Sequence, residues 1–128
     1  SVGMAPESLY QRVGGKSFFI ELVDRFYDLI ESEPILRKLY PDNLEPGKTN
    51  LALFLAQFWG GPQEYSAKRG HPRLRLRHMP FTIGKLERDT WVTHMKSALH
   101  SMDLPIQDKS QMLEYFENTA TFMINQQQ

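Results

Sequence analysis

Apolar side chains recur every three or four residues over most of this chain, and strand signals are scarce. That spacing puts side chains on one face of a helix, so four long amphipathic helices are predicted. The first begins at Ser17, the second follows the turn-rich residues 42–47, and the others span residues 84–102 and 108–125. Their inward positions are Phe18, Leu22, Phe26 and Ile30, with Phe19, Val23 and Tyr27 beside them; Leu51, Phe54, Leu55, Phe58 and Trp59; Leu86, Trp91, Val92, Met95, Leu99 and Met102; and Met112, Tyr115, Phe116, Thr119, Ala120 and Met123.

Glycine and proline divide the remaining chain into shorter segments. A short helix from about Pro6 ends at Gly14-Gly15, because glycine adopts the left-handed conformation that closes a helix. Pro34 begins a brief turn that ends at Tyr40-Pro41, where proline pushes the preceding residue out of the helical region.

Residues 60–72 are predicted to be a long polar loop, a feature that is often functional in compact domains. In that context residues 74–78 favour a short helix over a strand. The sum predicts an all-α protein with four substantial and three short helices. Either a four-helix bundle or a compact globin-like sandwich fits this pattern.

Composition narrows the functional classes. A chain of 128 residues predicts one domain, and 15 basic against 15 acidic residues leave no global field that recruits nucleic acid or acidic membranes. The absence of cysteine excludes disulfides, thiolate metal sites and covalently attached haem. No apolar run approaches the ~20 residues of a transmembrane helix, and no signal peptide is evident. We expect a cytoplasmic protein, with residues 1–3 an expression scar and residues 4–128 a single domain.

The segment Arg69–Phe81 carries the most informative chemistry, since it sets two histidines, four arginines and two prolines in thirteen residues. A histidine on a short helical turn can ligate a metal while neighbouring cations neutralise an anion. Haem requires that combination, an axial imidazole for the iron and positive charge for two propionates. The alternative from this segment alone is a solvated basic loop.

Among the four histidines, His78 is the best candidate ligand. A rigid turn precedes it, Leu74 lies one helical turn before it, and Met79-Pro80 follows. We expect its other ring nitrogen to bind the Leu74 carbonyl, since a ligating histidine normally uses that second nitrogen to fix its tautomer. His71 lies in the loop, His94 is at the core or its rim, and His100 is on a polar face.

Tyr27, Tyr40 and Trp91 form a second constellation of apolar rings with polar tips that point inward. Buried hydroxyl and indole N–H groups normally find a partner. They are either ordinary core aromatics satisfied by backbone, or donors that converge on a small polar ligand. No phosphate-binding glycine loop and no Glu-x-x-His motif is present, so no other chemistry reaches a comparable level.

The ordered series of motifs in this chain resembles the group II truncated haemoglobins, the bacterial two-over-two globin family. The resemblance covers roughly residues 8–125. The motifs that carry it are Val13-Gly14-Gly15, Arg25-Phe26-Tyr27, Leu39-Tyr40-Pro41, Phe58-Trp59-Gly60-Gly61-Pro62, Arg69-Gly70-His71-Pro72, Arg77-His78-Met79-Pro80-Phe81 and Glu87-Arg88-Asp89-Thr90-Trp91. It implies a globin-like two-over-two sandwich with a long loop before a short proximal helix.

The resemblance also implies roles for individual residues around a non-covalently bound haem b. His78 matches the proximal iron ligand. The residues that match distal, ligand-contacting positions are Tyr27, Tyr40, Trp91 and the apolar Leu51. The residues expected to contact the haem are Arg77 and Tyr65, towards the propionates, together with Phe54, Leu74 and Phe81. Gly47 falls where many haemoglobins place a distal histidine, so ligand stabilisation is expected to rest on the two tyrosines and the tryptophan.

The function implied is reversible binding of O₂, NO or CO at a five-coordinate iron. At about 0.5–1.5 kcal/mol per hydrogen bond, three donors slow O₂ release on the order of 10- to 10³-fold. Tight retention favours redox chemistry, such as NO dioxygenation or peroxidase-like activity with an unidentified reductase, over delivery. The alternatives are an O₂ carrier or store, and a haem-free module that binds an acidic partner through residues 68–77. A sensor is disfavoured because the length leaves no room for an output module.

Overall fold

The structure, a computed structural model, describes residues 7–126 of the chain. Within that range the chain forms eight helices and no strand, which confirms the all-α prediction. The helices are α1 (Leu9–Val13), α2 (Lys16–Glu31), α3 (Pro34–Arg37), α4 (Glu45–Phe58), α5 (Glu64–Arg69), α6 (Leu74–His78), α7 (Lys85–His100) and α8 (Ile106–Phe122). The expected scar at residues 1–3 and the expected helix start at Pro6 lie outside the described residues.

Local sequence explains where the first helix begins and ends. The Gln11 amide donates to the Ser8 hydroxyl at 3.3 Å, and the Ser8 amide donates to the Gln11 side chain at 3.0 Å. This capping box satisfies two donors that have no partner inside a helix. Gly14 ends α1 at a φ of 110°, a left-handed conformation open to glycine. α2 follows from Lys16, one residue before the predicted start.

The four long helices form two pairs around one core. α2 packs against α4, α7 packs against α8, and α2 also meets α7. Burying each large apolar side chain stabilises the fold by about 1.5–3 kcal/mol. The most completely buried large side chains come from all four helices and confirm the predicted inward faces: Phe19, Leu22, Val23, Phe26, Ile30, Leu55, Met95, Leu99 and Met112. None of the helices within residues 7–126 has the length and apolar character to cross a membrane.

The segment predicted to be a loop contains a helix, α5, between Gly60-Gly61-Pro62 and Gly70. Its six residues are too few to show a period, and only Tyr65 among them is buried. Two hydrogen bonds fix it to α4: Gln57 donates to the Ser66 hydroxyl at 2.7 Å and accepts from the Ser66 amide at 2.9 Å. The helix therefore depends on a pairing nine residues apart.

Three predictions about the long helices are wrong in detail. Phe58 was expected to face inward but is 49% exposed at the last residue of α4, where its ring packs against that of Tyr115 with centroids 4.2 Å apart. α4 begins at Glu45 and includes Pro46, which a helix tolerates in its first turn because that amide needs no partner. Leu86 was expected to face inward but is 53% exposed. It lies nine residues before Met95, about two and a half turns away, and so faces the opposite side of α7.

Candidate functional site

A cavity of about 290 Å³ opens between α4, α6, α7, α8 and the segment that follows α3. Its wall is mostly apolar side chains with a few polar groups among them, which is typical of a small-molecule or cofactor site. Seven of the residues singled out from the sequence line it: Tyr40, Leu51, Phe54, Leu74, His78, Phe81 and Trp91. The structure therefore brings together residues that lie up to 51 positions apart in the chain, Tyr40 and Trp91 being the most distant.

His78 is held by its own short helix. Its Nδ1 lies 2.6 Å from the carbonyl oxygen of Leu74, one turn earlier, which confirms the predicted contact. A carbonyl only accepts, so Nδ1 is the donor, and in the neutral imidazole Nε2 keeps its lone pair. The imidazole is half-buried in the cavity wall. This neutral tautomer suits a metal ligand, since the ligating nitrogen is unprotonated and the other nitrogen is fixed.

The three aromatic donors lie close to one another. The Tyr27 and Tyr40 rings meet edge to face with centroids 5.7 Å apart, and Phe26 separates Tyr27 from Trp91, with centroids 5.7 and 5.0 Å away. Tyr40 and Trp91 line the cavity, and Tyr27 is buried behind Tyr40. The Trp91 N–H approaches the Tyr40 hydroxyl without the geometry of a full hydrogen bond. Apart from that contact, no hydrogen bond joins these three polar tips to another group of residues 7–126, and none of the three is a fully buried atom left without a partner.

Burial keeps both tyrosines protonated. It raises the pKa of Tyr40 to about 12, and the nearby Trp91 indole opposes that rise. Burial also raises the pKa of Tyr27, and the neighbouring Tyr40 adds to the shift. Both hydroxyls therefore remain neutral donors throughout the physiological range.

Gly47 makes room for the Tyr27 hydroxyl. A Cβ atom added at Gly47 would lie 2.7 Å from the Tyr27 Oη, closer than such contacts occur. The absence of a side chain here lets α4 approach the tyrosine directly. Gly47 thus belongs to the same arrangement as the aromatic donors, although it has no chemistry of its own.

Three of the residues expected from the sequence are not in the wall itself. Tyr27 stands behind Tyr40. Tyr65 is buried with its ring edge to face against Phe54, at a centroid distance of 5.5 Å. The Arg77 guanidinium donates to the backbone carbonyls of Arg69 at 3.1 Å and His71 at 3.5 Å.

Sequence reasoning missed several cavity residues. Tyr115 and Met123 were assigned to the inward face of the last helix, but that spacing alone did not indicate that they line a cavity. Glu87 and Arg88 gave no such signal, because charged residues on a helix usually face solvent. In the structure Glu87 accepts from the Gly84 amide at 2.7 Å. Arg88 donates to the Glu117 carbonyl at 2.9 Å and so joins α7 to α8 beside the cavity.

The other histidines lie away from the cavity wall. His71 is exposed and accepts from the Arg73 amide at 3.1 Å. His94 is half-buried at the rim and contacts Glu33, and His100 is exposed, as expected from its polar face.

Comparison with known proteins decides the family. A sequence model of the bacterial-like globin family matches residues 8–125, nearly all of the chain. The chain belongs to the bacterial-like globin family. The resemblance to the group II truncated haemoglobins is confirmed by a curated relative of this globin, the group 2 truncated hemoglobin YjbI of Bacillus subtilis. The two are 34% identical over 125 residues, which are 98% of this chain and 94% of that protein.

Solved structures confirm the globin fold. The hemoglobin of Chloroflexus aurantiacus is 47% identical with a TM-score of 0.93, and the match covers 94% of this globin and 100% of that chain. The thermostable hemoglobin of Thermobifida fusca is 44% identical with a TM-score of 0.93, over 95% of this globin and 100% of that chain. Membership of this family implies haem-based ligand binding.

The residues present fit a haem. The cavity wall is largely apolar, which suits a flat hydrophobic macrocycle. It holds one histidine whose Nδ1 is bound to a backbone carbonyl, which leaves Nε2 as the nitrogen that can ligate iron. The side chains of Tyr40 and Trp91 also line it, so a hydroxyl and an indole N–H are available to a ligand bound there.

Proposed function

We propose that this globin binds haem b non-covalently in the cavity, with His78 as the iron ligand, and holds O₂, NO or CO by hydrogen bonds from Tyr27, Tyr40 and Trp91. The observation that carries the proposal is the pairing of two features in one apolar cavity: an imidazole whose Nδ1 is held by a backbone carbonyl, and the aromatic donors Tyr40 and Trp91 in the same wall.

The residues around His78 would hold the group in place. Phe54, Leu74 and Phe81 offer apolar contacts from three different parts of the wall. Arg77 and Tyr65 would serve the propionates. For that role Arg77 would exchange its two backbone acceptors for carboxylates, which form shorter and stronger charge-assisted hydrogen bonds.

Haem b, when bound, supplies an iron that takes up diatomic ligands and supports O₂/NO redox or peroxidase-like chemistry. The distal residues determine how long a ligand stays. Tyr27, Tyr40 and Trp91 stabilise partial negative charge on it, and Leu51 adds an apolar contact that helps to exclude water. Slow release favours turnover of the ligand over its delivery. We further propose that the turnover takes place in the cytoplasm with a separate reductase.

The basic segment supports this reading over a haem-free module that binds polyanions. Arg75 donates to the backbone carbonyls of Phe122 and Ile124, at 2.5 and 3.1 Å, and Arg77 donates to those of Arg69 and His71. Two of the segment's cations are therefore directed at the protein itself, where they hold α6 in place.

The test is the visible absorption spectrum of the purified protein after hemin addition, reduction and exposure to CO. We expect a Soret band that shifts with CO. In His78→Gly the hemin affinity should fall by ~100-fold or more, since loss of outer contacts to a metal ligand alone costs 10- to 100-fold. Added imidazole should restore the band. His71→Gly is the control and should behave as the wild type. A wild-type protein that takes up no hemin would contradict the proposal.

A further inference from the structure

Glu33 makes two contacts at once, one to its own helix and one across the molecule. Its Oε2 accepts from the Ile35 amide at 2.8 Å, which caps the start of α3. Its Oε1 lies 2.8 Å from Nε2 of His94 on α7. Both side chains are mostly buried, with 15% of Glu33 and 22% of His94 exposed. A carboxylate only accepts, so His94 Nε2 carries the proton and donates to Glu33.

This contact holds a segment that carries part of the cavity wall. α3 has only four residues, and Leu36, Leu39, Tyr40 and Pro41 within or just after it all line the cavity. The far end of the segment is fixed internally, because the Arg37 guanidinium donates to the carbonyls of Pro41 and Asp42, each at 3.0 Å. Residues 34–42 therefore behave as one short unit, capped at both ends.

The unit has few directional links to the rest of the protein. Among residues 7–126, Glu33–His94 is the only side-chain hydrogen bond or ion pair that joins residues 33–42 to another helix. Buried Leu36 adds apolar packing, which is not directional and does not by itself fix an orientation. His94 lies three residues after Trp91, so the contact joins α3 to α7 within one turn of the tryptophan that Tyr40 approaches.

We propose that the Glu33–His94 contact is the positioning element of the distal site, which holds the Tyr40 hydroxyl at its working distance from Trp91 and from the bound ligand. This inference rests on the proposed function for its effect on a ligand. Neither Glu33 nor His94 lines the cavity, so both act through Tyr40.

Four variants test the contact: two that should break it and two that should leave it intact. Glu33→Asp keeps a good helix cap but shortens the side chain by one methylene, so it loses His94. His94→Leu removes the donor, whereas His94→Gln keeps an N–H at a similar reach. His100→Leu changes an exposed histidine of the same helix and is the control.

Three measurements are made on each variant: amide hydrogen exchange of residues 34–42 in the haem-free chain, the C–O stretching frequency of the CO complex, and the O₂ release rate. We expect Glu33→Asp and His94→Leu to speed exchange in this segment, shift the stretch and accelerate release roughly two- to tenfold, the worth of one hydrogen bond. His94→Gln and His100→Leu should stay close to the wild type.

The deciding measurement repeats Glu33→Asp in a Tyr40→Phe background. If Glu33 acts through Tyr40, it should have no further effect there on the stretch or on release. An equal effect in both backgrounds would overturn the inference, and so would unchanged exchange of residues 34–42. Should the protein take up no haem, the proposed function fails, and the exchange data on the haem-free chain still decide whether the contact holds this segment.

Discussion

The two sides of the cavity are built in opposite ways. On the proximal side, the His78 imidazole is oriented from within α6, by its contact to Leu74 four residues earlier, so the hydrogen bond that fixes its tautomer forms within one turn of helix. On the distal side, Tyr27, Tyr40 and Trp91 come from three separate parts of the chain and meet only when α2, the segment after α3 and α7 have packed.

The difference reflects what a metal ligand and a set of hydrogen-bond donors each require of the fold. A metal ligand needs one nitrogen with the correct protonation, which local geometry can supply. A set of donors needs fixed mutual distances, which only the core can supply. The proximal helix can therefore be short and partly exposed, whereas the rings of Tyr27 and Trp91 pack against the fully buried Phe26. Changes on the two sides should have different consequences.

The largest effect is expected from removing the distal donors. Tyr27→Phe, Tyr40→Phe and Trp91→Phe should each accelerate O₂ release roughly two- to tenfold, and the triple variant on the order of 10- to 10³-fold, because each loses a hydrogen bond of about 0.5–1.5 kcal/mol. Stopped-flow displacement of O₂ by CO measures this. The hemin affinity, which depends on His78, should stay unchanged, which would show that the two sides are independent.

Tyr10→Phe is the matched control for the tyrosines. The Tyr10 ring stacks on Phe19 with centroids 5.9 Å apart and does not line the cavity. Wild-type release rates in all three donor variants would contradict a donor network and favour a simple O₂ carrier.

A smaller effect is expected from Gly47→Ala. The added methyl group would lie 2.7 Å from the Tyr27 Oη, and overpacking of this kind costs about 1–3 kcal/mol of unfolding free energy. In a Tyr27→Phe background the hydroxyl is absent, so most of the loss should disappear. Urea denaturation of the four proteins in this cycle measures the coupling. Equal losses in both backgrounds would show that the close contact is not the cause.

The smallest effect is expected on the proximal side, from Arg75→Ala. Arg75 fixes α6 to the end of α8 and lies over the Phe122 ring at 5.5 Å. Because the contact is exposed, we expect hemin affinity to fall only roughly two- to fivefold, with faster amide exchange in α6. Arg69→Ala is the control, because Arg69 is an exposed arginine at the end of α5. A loss as large as that of His78→Gly would mean that α6 depends on tertiary contacts after all.

The same contrast explains what the sequence could predict. His78 and its Leu74 partner follow from a spacing of four residues, and the long helices follow from periodic apolar positions. The cavity role of Glu87 and Arg88 could not be foreseen, because burial of a charged helix residue depends on the neighbouring helix. The Glu33–His94 contact spans 61 positions and leaves no local pattern. Helix α5 was missed because the pairing that stabilises it, Gln57 with Ser66, involves a residue of the preceding helix.

The positions of the two tryptophans should make their fluorescence sensitive to whatever occupies the cavity. Both tryptophans of the chain couple to it: Trp91 lines the wall, and the Trp59 ring lies 5.1 Å from that of Tyr115, which also lines it. A coloured occupant would absorb the light that the two indoles emit. Their fluorescence should therefore fall together as the cavity fills, so the unmodified protein would report its own loading without a dye or a label.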